Sequence, residues 1–132
     1  MTITFEGRCS TFGGRGDAGM RVGEGLAYFE HDEADLRPDL FLPRGDPIEG
    51  ASQRLRPEAF YLALPVAKGS APRFLLAGSP WHVMNPKTGQ SVLCSLVDWG
   101  PNPNTGRVCD LSPGAARALR LVTDDLVRVC RA

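Results

Sequence analysis

Apolar positions along this chain come in short runs that glycine or proline cuts off before they reach helix length. The strongest run is Val92-Leu93-Cys94-Ser95-Leu96-Val97-Asp98-Trp99-Gly100-Pro101. Val92, Cys94 and Leu96 share one face of a strand there, and Leu93, Ser95 and Val97 share the other. Both faces are mostly apolar, which predicts an interior strand with little solvent on either side. It ends on a carboxylate, Asp98, where Gly100-Pro101 and the loop Asn102-Pro103-Asn104-Thr105-Gly106 turn the chain. Val108-Cys109 then delivers a second acid, Asp110. Two acids at strand ends around one turn-rich loop suit a site, because a rigid scaffold fixes the groups that its loops carry.

Upstream, Thr2 to Phe12 reads as a first strand, with Ile3 and Phe5 on one face. Gly25-Leu26-Ala27-Tyr28-Phe29-Glu30 reads as a second. Residues 31–57 form an irregular excursion: an acid-rich stretch from His31 to Leu36, at most one helical turn, then a Gly-, Pro- and charge-rich stretch from Pro43 to Pro57. Ala59 to Val66 is the next strand, Phe74-Leu75-Leu76 a short one, and Trp81 to Asn85 another. Asn85-Pro86-Lys87-Thr88-Gly89 is hairpin chemistry leading into the central strand. Ser112-Pro113 offers an N-cap and a first helical position, the cap contributing roughly 1 kcal/mol. Ala115, Ala116, Ala118 and Leu119 carry a short helix to about Leu121, and Leu126 to Cys130 is the last strand. The expected fold is mainly β, with about six strands, one short helix after Asp110-Leu111-Ser112-Pro113 and no repeat. A closed barrel satisfies such a set, because closure removes exposed sheet edges.

The 132 residues predict a single domain spanning 1–132. Lys plus Arg equals Asp plus Glu at 15 each, so no basic stripe points to nucleic acid. No apolar run approaches the roughly 18 residues of a membrane helix, and membrane insertion is not expected. Met1-Thr2-Ile3-Thr4-Phe5-Glu6 lacks the pattern of a secretion leader, which leads to an expectation of cytoplasmic synthesis, with action at the cell wall still open. Cys9, Cys94, Cys109 and Cys130 make no C-x-x-C pair, and His31 and His82 stand far apart, so neither a metal site nor a cofactor is expected. The cysteines read as small buried hydrophobes, with one disulfide as the alternative. Gly14, Gly16 and Gly19 spell a dinucleotide-like glycine pattern, but no helix follows, so the loop reads as a turn with Asp17 as a turn former or a substrate contact.

Asn85-Pro86-Lys87-Thr88-Gly89, the apolar strand, Asp98-x-Gly100-Pro101, and Gly106-Arg107-x-x-Asp110-Leu111-Ser112-Pro113 together resemble the double-psi β-barrel of rare lipoprotein A-like proteins. Relatives of that family include expansin-like, barwin-like and family 45 glycosidase domains. The resemblance is strongest from Trp81 to Val129, with weaker echoes in Ser10-Thr11-Phe12-Gly13-Gly14, Gly23-Glu24 and Leu64-Pro65. It implies a six-stranded barrel and, in carbohydrate-acting members, an open groove for a glycan strand; some members are lytic transglycosylases that cut peptidoglycan. Asp98 matches the acid of the family's Asp-Arg-Gly-Pro, Glu24 the Glu of its Gly-Glu, and Asp110 the acid of its Asp-Leu-Ser. Trp99 stands where the family has Arg, and Tyr61 stands nearest to the position of a family histidine.

These residues suit glycan chemistry. Splitting a glycosidic bond needs an acid to protonate the leaving oxygen, and hydrolysis usually needs a second carboxylate. A lytic transglycosylase needs one acid/base, because the sugar's own hydroxyl closes the ring. Asp98, Asp110 and Glu24 are the catalytic candidates, and Trp99, Tyr61 and Asp17 the substrate contacts. Trp99 and Trp81 either stack on sugar rings or join the core, and Tyr61 either reaches the rim or stays in the core. The expected partner is a polysaccharide or peptidoglycan strand. The alternative is a non-catalytic barrel that binds glycan or serves as a structural part of a phage or secretion assembly.

Overall fold

The computed structural model describes residues 4–13, 26–29, 33–43, 54–67 and 69–132. Six strands close into a barrel: β1 (Thr4–Thr11), β2 (Tyr61–Leu64), β3 (Pro80–Met84), β4 (Ser91–Trp99), β5 (Arg107–Leu111) and β6 (Leu126–Arg131). Around the barrel the order is β1-β5-β2-β4-β3-β6. β1 runs parallel to β5 and β2 parallel to β4; the other neighbours are antiparallel. Exchanging each strand for the one three places along reproduces the same neighbours and directions. The barrel is therefore pseudo-twofold, and it is the six-stranded double-psi fold. Every pairing joins one of the first three strands to one of the last three.

The inner face carries Cys9, Leu62, Leu64, Trp81, Val83, Cys94, Leu96, Cys109, Leu111, Val127 and Val129, all buried. Trp81 lies wholly inside, its indole N–H donating to the Ser79 hydroxyl at 2.9 Å. Each parallel pair carries one extra residue: Val108 at the Arg8–Cys9 step and Val97 at the Leu62–Ala63 step. The Val97 bulge breaks the alternation read from the sequence, so that Leu96 and Val97 are both buried. The first half of β4 is also less covered than its apolar composition suggests, with Leu93 52% exposed on the outer face.

The hairpin expected at Asn85 forms, its turn held by Thr88 and Gly89 N–H groups donating to the Asn85 carbonyl. Helix α2 (Pro113–Leu119) is capped by the Ser112 hydroxyl, which accepts from Ala115 N at 3.1 Å and from Tyr61 N at 3.3 Å. Its last residue is Leu119, two residues before the end the sequence suggests, and its C-cap, Arg120, lies in the left-handed region. The Asn85 amide donates to Leu119 O at 2.8 Å and ties the hairpin to the helix end.

Three expected elements differ. Phe74-Leu75-Leu76 belongs to a one-turn helix, α1 (Arg73–Leu76), because Pro72 starts a turn and only Leu76 finds cover. Residues 26–29 are not a strand: Leu26 and Phe29 exchange backbone bonds in a tight turn, and Tyr28 N donates to Val97 O. Among the described residues of the excursion at 31–57 there are a 3-10 turn at Glu33–Leu36 and a bridge between Phe41 and Leu55. Ala34, Leu40, Phe41 and Leu55 are buried there: the short apolar piece Leu40-Phe41-Leu42 between prolines supplies two of these anchors, and Ala34 and Leu55 lie within charge- and proline-rich sequence.

All four cysteines are free thiols. Burial raises Cys9 to about 11 and Cys94 to about 12, and pushes Cys109 higher still. The native state therefore keeps protons that the unfolded chain loses. Their contribution to stability is complete below the ordinary thiol value near 9 and fades as pH rises toward 11 and beyond. The thermal midpoint should fall steeply between pH 9 and 11 as the unfolded chain binds about three fewer protons. Calorimetry across that range in reductant, compared with a Cys94→Ala variant of shallower slope, checks this.

Gly13, at φ 77°, passes directly over the Tyr61 hydroxyl, where a Cβ would overlap that oxygen. Gly89, at φ 76°, has open space around the same position. Gly13→Ala should cost about 3 kcal/mol against about 1 kcal/mol for Gly89→Ala. Urea denaturation checks the difference, and Tyr61→Phe in the Gly13→Ala background should recover part of it.

Candidate functional site

The barrel brings the two predicted acids into one lateral row. Ala63 of β2 sits opposite Asp98 on β4 and opposite Asp110 on β5, and Asp110 sits opposite Ser10 on β1. The row Ser10–Asp110–Ala63–Asp98 crosses four neighbouring strands. Directly paired residues share a face, so both carboxylates and the hydroxyl rise from the outer side of the barrel. Two strand spacings separate the acids, about 10 Å at the backbone. The pseudo-twofold exchanges the ends of the row, so Asp98 in one half stands where Ser10 stands in the other. Both bulges lie just before the acids, where an extra residue re-aims the following side chain.

Asp98 is half-buried and bonded beyond its own loop. Its Oδ1 accepts from Ala27 N at 2.8 Å and from Trp99 N at 2.9 Å. The carboxylate thus clamps the 26–29 turn onto β4. Both donors line a pocket of about 240 Å³, together with Tyr28, Val66, Ala71, Arg73 and Leu76. The Trp99 indole N–H donates to Val66 O at 2.9 Å, which fixes the ring as a wall of that pocket. Burial and the Asp98 charge raise Tyr28 above the ordinary phenol value, so its hydroxyl stays protonated. Arg73, at the rim, pairs with Glu33.

Asp110 accepts a hydrogen bond from the Ser10 hydroxyl. Arg107 pairs with Asp124 at 3.1 Å, and Ser112 caps the helix as the sequence predicts. Tyr61 corrects the sequence reading: it is wholly buried, with its hydroxyl donating to Gly13 O at 3.1 Å and its ring edge-on to Phe12. The chain after β1 crosses over it, and no face remains for a sugar. Glu24 and Asp17 lie outside the described residues. Ser10, Ala63 and Tyr28 were not singled out from the sequence, because only strand register and the docking of the 26–29 turn bring them to the acids.

A larger groove, about 530 Å³, lies beside β6 and is lined by Gly7, Met84, Pro86 and Leu126 with the Glu6–Arg128 ion pair. Its one acid is tied to that arginine, and no carboxylate is among the described residues lining the pocket beside Trp99. Among the described residues no group of three or more His, Cys, Asp or Glu could hold a metal ion. No helix among them is long and apolar enough to cross a membrane.

The fold and the row define this protein as a double-psi β-barrel that carries two carboxylates in one row across neighbouring strands. No protein-family model matches the chain, and no curated protein does. Among solved structures, apo expansin from Clavibacter michiganensis is similar, at a TM-score of 0.49 and 18% identity, over 98% of this chain and 50% of that one. This chain spans about half the length of that structure.

The clamp is testable apart from any activity. Asp98→Ala leaves two backbone N–H groups without their acceptor and should cost about 2 kcal/mol, while Asp98→Asn keeps an acceptor oxygen and should cost under about 1 kcal/mol. Hydrogen exchange should show the Ala27 amide losing protection in the alanine variant only.

Proposed function

We propose that this barrel cleaves a glycan strand, with bacterial cell-wall peptidoglycan as the substrate class and Asp98 as the acid/base. The observation that carries this reading is the register that sets Asp98 and Asp110 on either side of Ala63. Ala63, itself buried, projects no more than a methyl group between them. The backbone spacing of about 10 Å suits the wider, water-admitting separation of inverting glycosidases better than the narrow one of retaining enzymes. In a lytic transglycosylase course, Asp98 alone suffices. The acidic proton is the one carried by the Asp98 carboxyl, whose Oδ1 is held by two N–H donors. It passes to the leaving glycosidic oxygen, the sugar's own hydroxyl attacks the anomeric carbon, and the carboxylate takes up that hydroxyl's proton. Asp110, with Ser10 as its donor, supplies the neighbouring negative charge in either course.

A second reading has its own support. The two backbone bonds to Asp98 Oδ1 are also what a purely architectural carboxylate makes. On this reading the barrel is a glycan-binding or structural module, for example within a phage or secretion assembly. Trp99 at the family's arginine position and Tyr61 near its histidine position favour it.

Digestion of purified sacculi, followed by muropeptide chromatography from pH 4 to 8, separates the two. The enzyme reading expects wild-type product, lost about 10² to 10⁴-fold in Asp98→Asn, which keeps the clamp. A wild type that co-sediments with sacculi yet releases no product establishes the binding module and removes Asp98 as a catalyst.

A further inference from the structure

The pocket beside Asp98 holds a polar group that the fold leaves unused. Tyr28 is 7% exposed, yet its hydroxyl makes no hydrogen bond to any described residue. A buried tyrosine hydroxyl normally finds a partner, because leaving it without one costs free energy. Tyr28 lines the pocket with the apolar side chains of Trp99, Val66 and Leu76. Such a setting suits a ligand with an apolar face and oxygen acceptors on its edge. At about 240 Å³ the pocket falls below the roughly 300 Å³ at which drug-sized sites begin, which suits one ring. Arg73 and its partner Glu33 add a polar rim at which ring hydroxyls can exchange water for protein contacts. The pocket and Asp98 share two residues, because Ala27 and Trp99, whose N–H groups Asp98 holds, are both in the pocket's lining.

Resting on the glycan reading above, we infer that this pocket is a subsite for a single pyranose residue of the strand. The sugar's apolar face lies against Trp99, and one of its oxygens accepts from the Tyr28 hydroxyl. Asp98 acts toward this subsite as a positioning residue, since it fixes the 26–29 wall. Tyr28 stays a donor throughout the neutral range, because its phenol is held above its ordinary value.

Tryptophan fluorescence titration with chitotetraose, alongside co-sedimentation with sacculi, tests the subsite. Trp81 is wholly buried, so the signal comes from Trp99. Tyr28→Phe should weaken chitotetraose binding about 2 to 10-fold, the loss of one neutral hydrogen bond, while the melting temperature stays within about 1 °C of wild type. Ala71→Trp, which fills the pocket from a surface turn, should weaken binding more than about 10-fold. Unchanged affinity in both variants, with the wild type still binding sacculi, overturns the subsite and leaves the glycan reading standing. A drop of several degrees in Tyr28→Phe shows that the hydroxyl already serves the fold, which also overturns it. No binding of either probe by the wild type removes the subsite and the glycan reading together.

Discussion

The structure depends on the pairing of one short strand with two partners at once. β2 is four residues long, Tyr61–Leu64, and all four are buried. It runs parallel to β4 on one side and antiparallel to β5 on the other, and so joins the two crossings of the barrel. Inward, Leu62 and Leu64 fill the core. Outward, Tyr61 anchors the chain leaving β1, and Ala63 separates the acids by a methyl group. A bulky residue at Ala63 would disturb the floor of the row, and a shift of β2 by one residue would turn Leu62 and Leu64 out of the core. The electrostatics of the site thus derive from a hydrophobic constraint.

Much of this was legible in the sequence. The Asn85-to-Gly89 hairpin, the Ser112 cap and the alternation of β6 are local signals, and local signals transmit through turn chemistry and capping. The closed barrel followed from many short apolar runs that needed a way to hide their edges. What stayed hidden depends on distant register. Nothing near Ser10 announces that it will meet Asp110 a hundred residues later, and nothing near Ala27 announces that its N–H will reach Asp98. Tyr61 misled for the same reason: its burial comes from Phe12 and Gly13, which only the closed barrel lays over it. The bulge at Val97 could not be read either, because it exists only relative to Leu62 and Ala63 of another strand.

Asp98 shows how one carboxylate can serve architecture and chemistry together. One of its oxygens is occupied by two backbone donors, so the geometry of the group is set before any ligand arrives. The same bonds build the wall that carries Tyr28 and Ala27 beside Trp99. An acid that is also a hinge pin for its own pocket has little freedom to drift. The clamp and the pocket wall are therefore two views of one small region at the end of β4.

The alternation of halves around the barrel bears on how the chain comes to be folded at all. A ribosome delivering this sequence releases β1, β2 and β3 first, and none of the three finds a strand to bond with until β4 emerges. The nascent chain must hold those edges apart in water while later residues are still being made, which favours holding by chaperones and slow, all-at-once assembly over stepwise growth. Cut between β3 and β4, the two pieces should each be shapeless alone and yet find one another on mixing, because every backbone bond of the barrel that either lacks is displayed by the other.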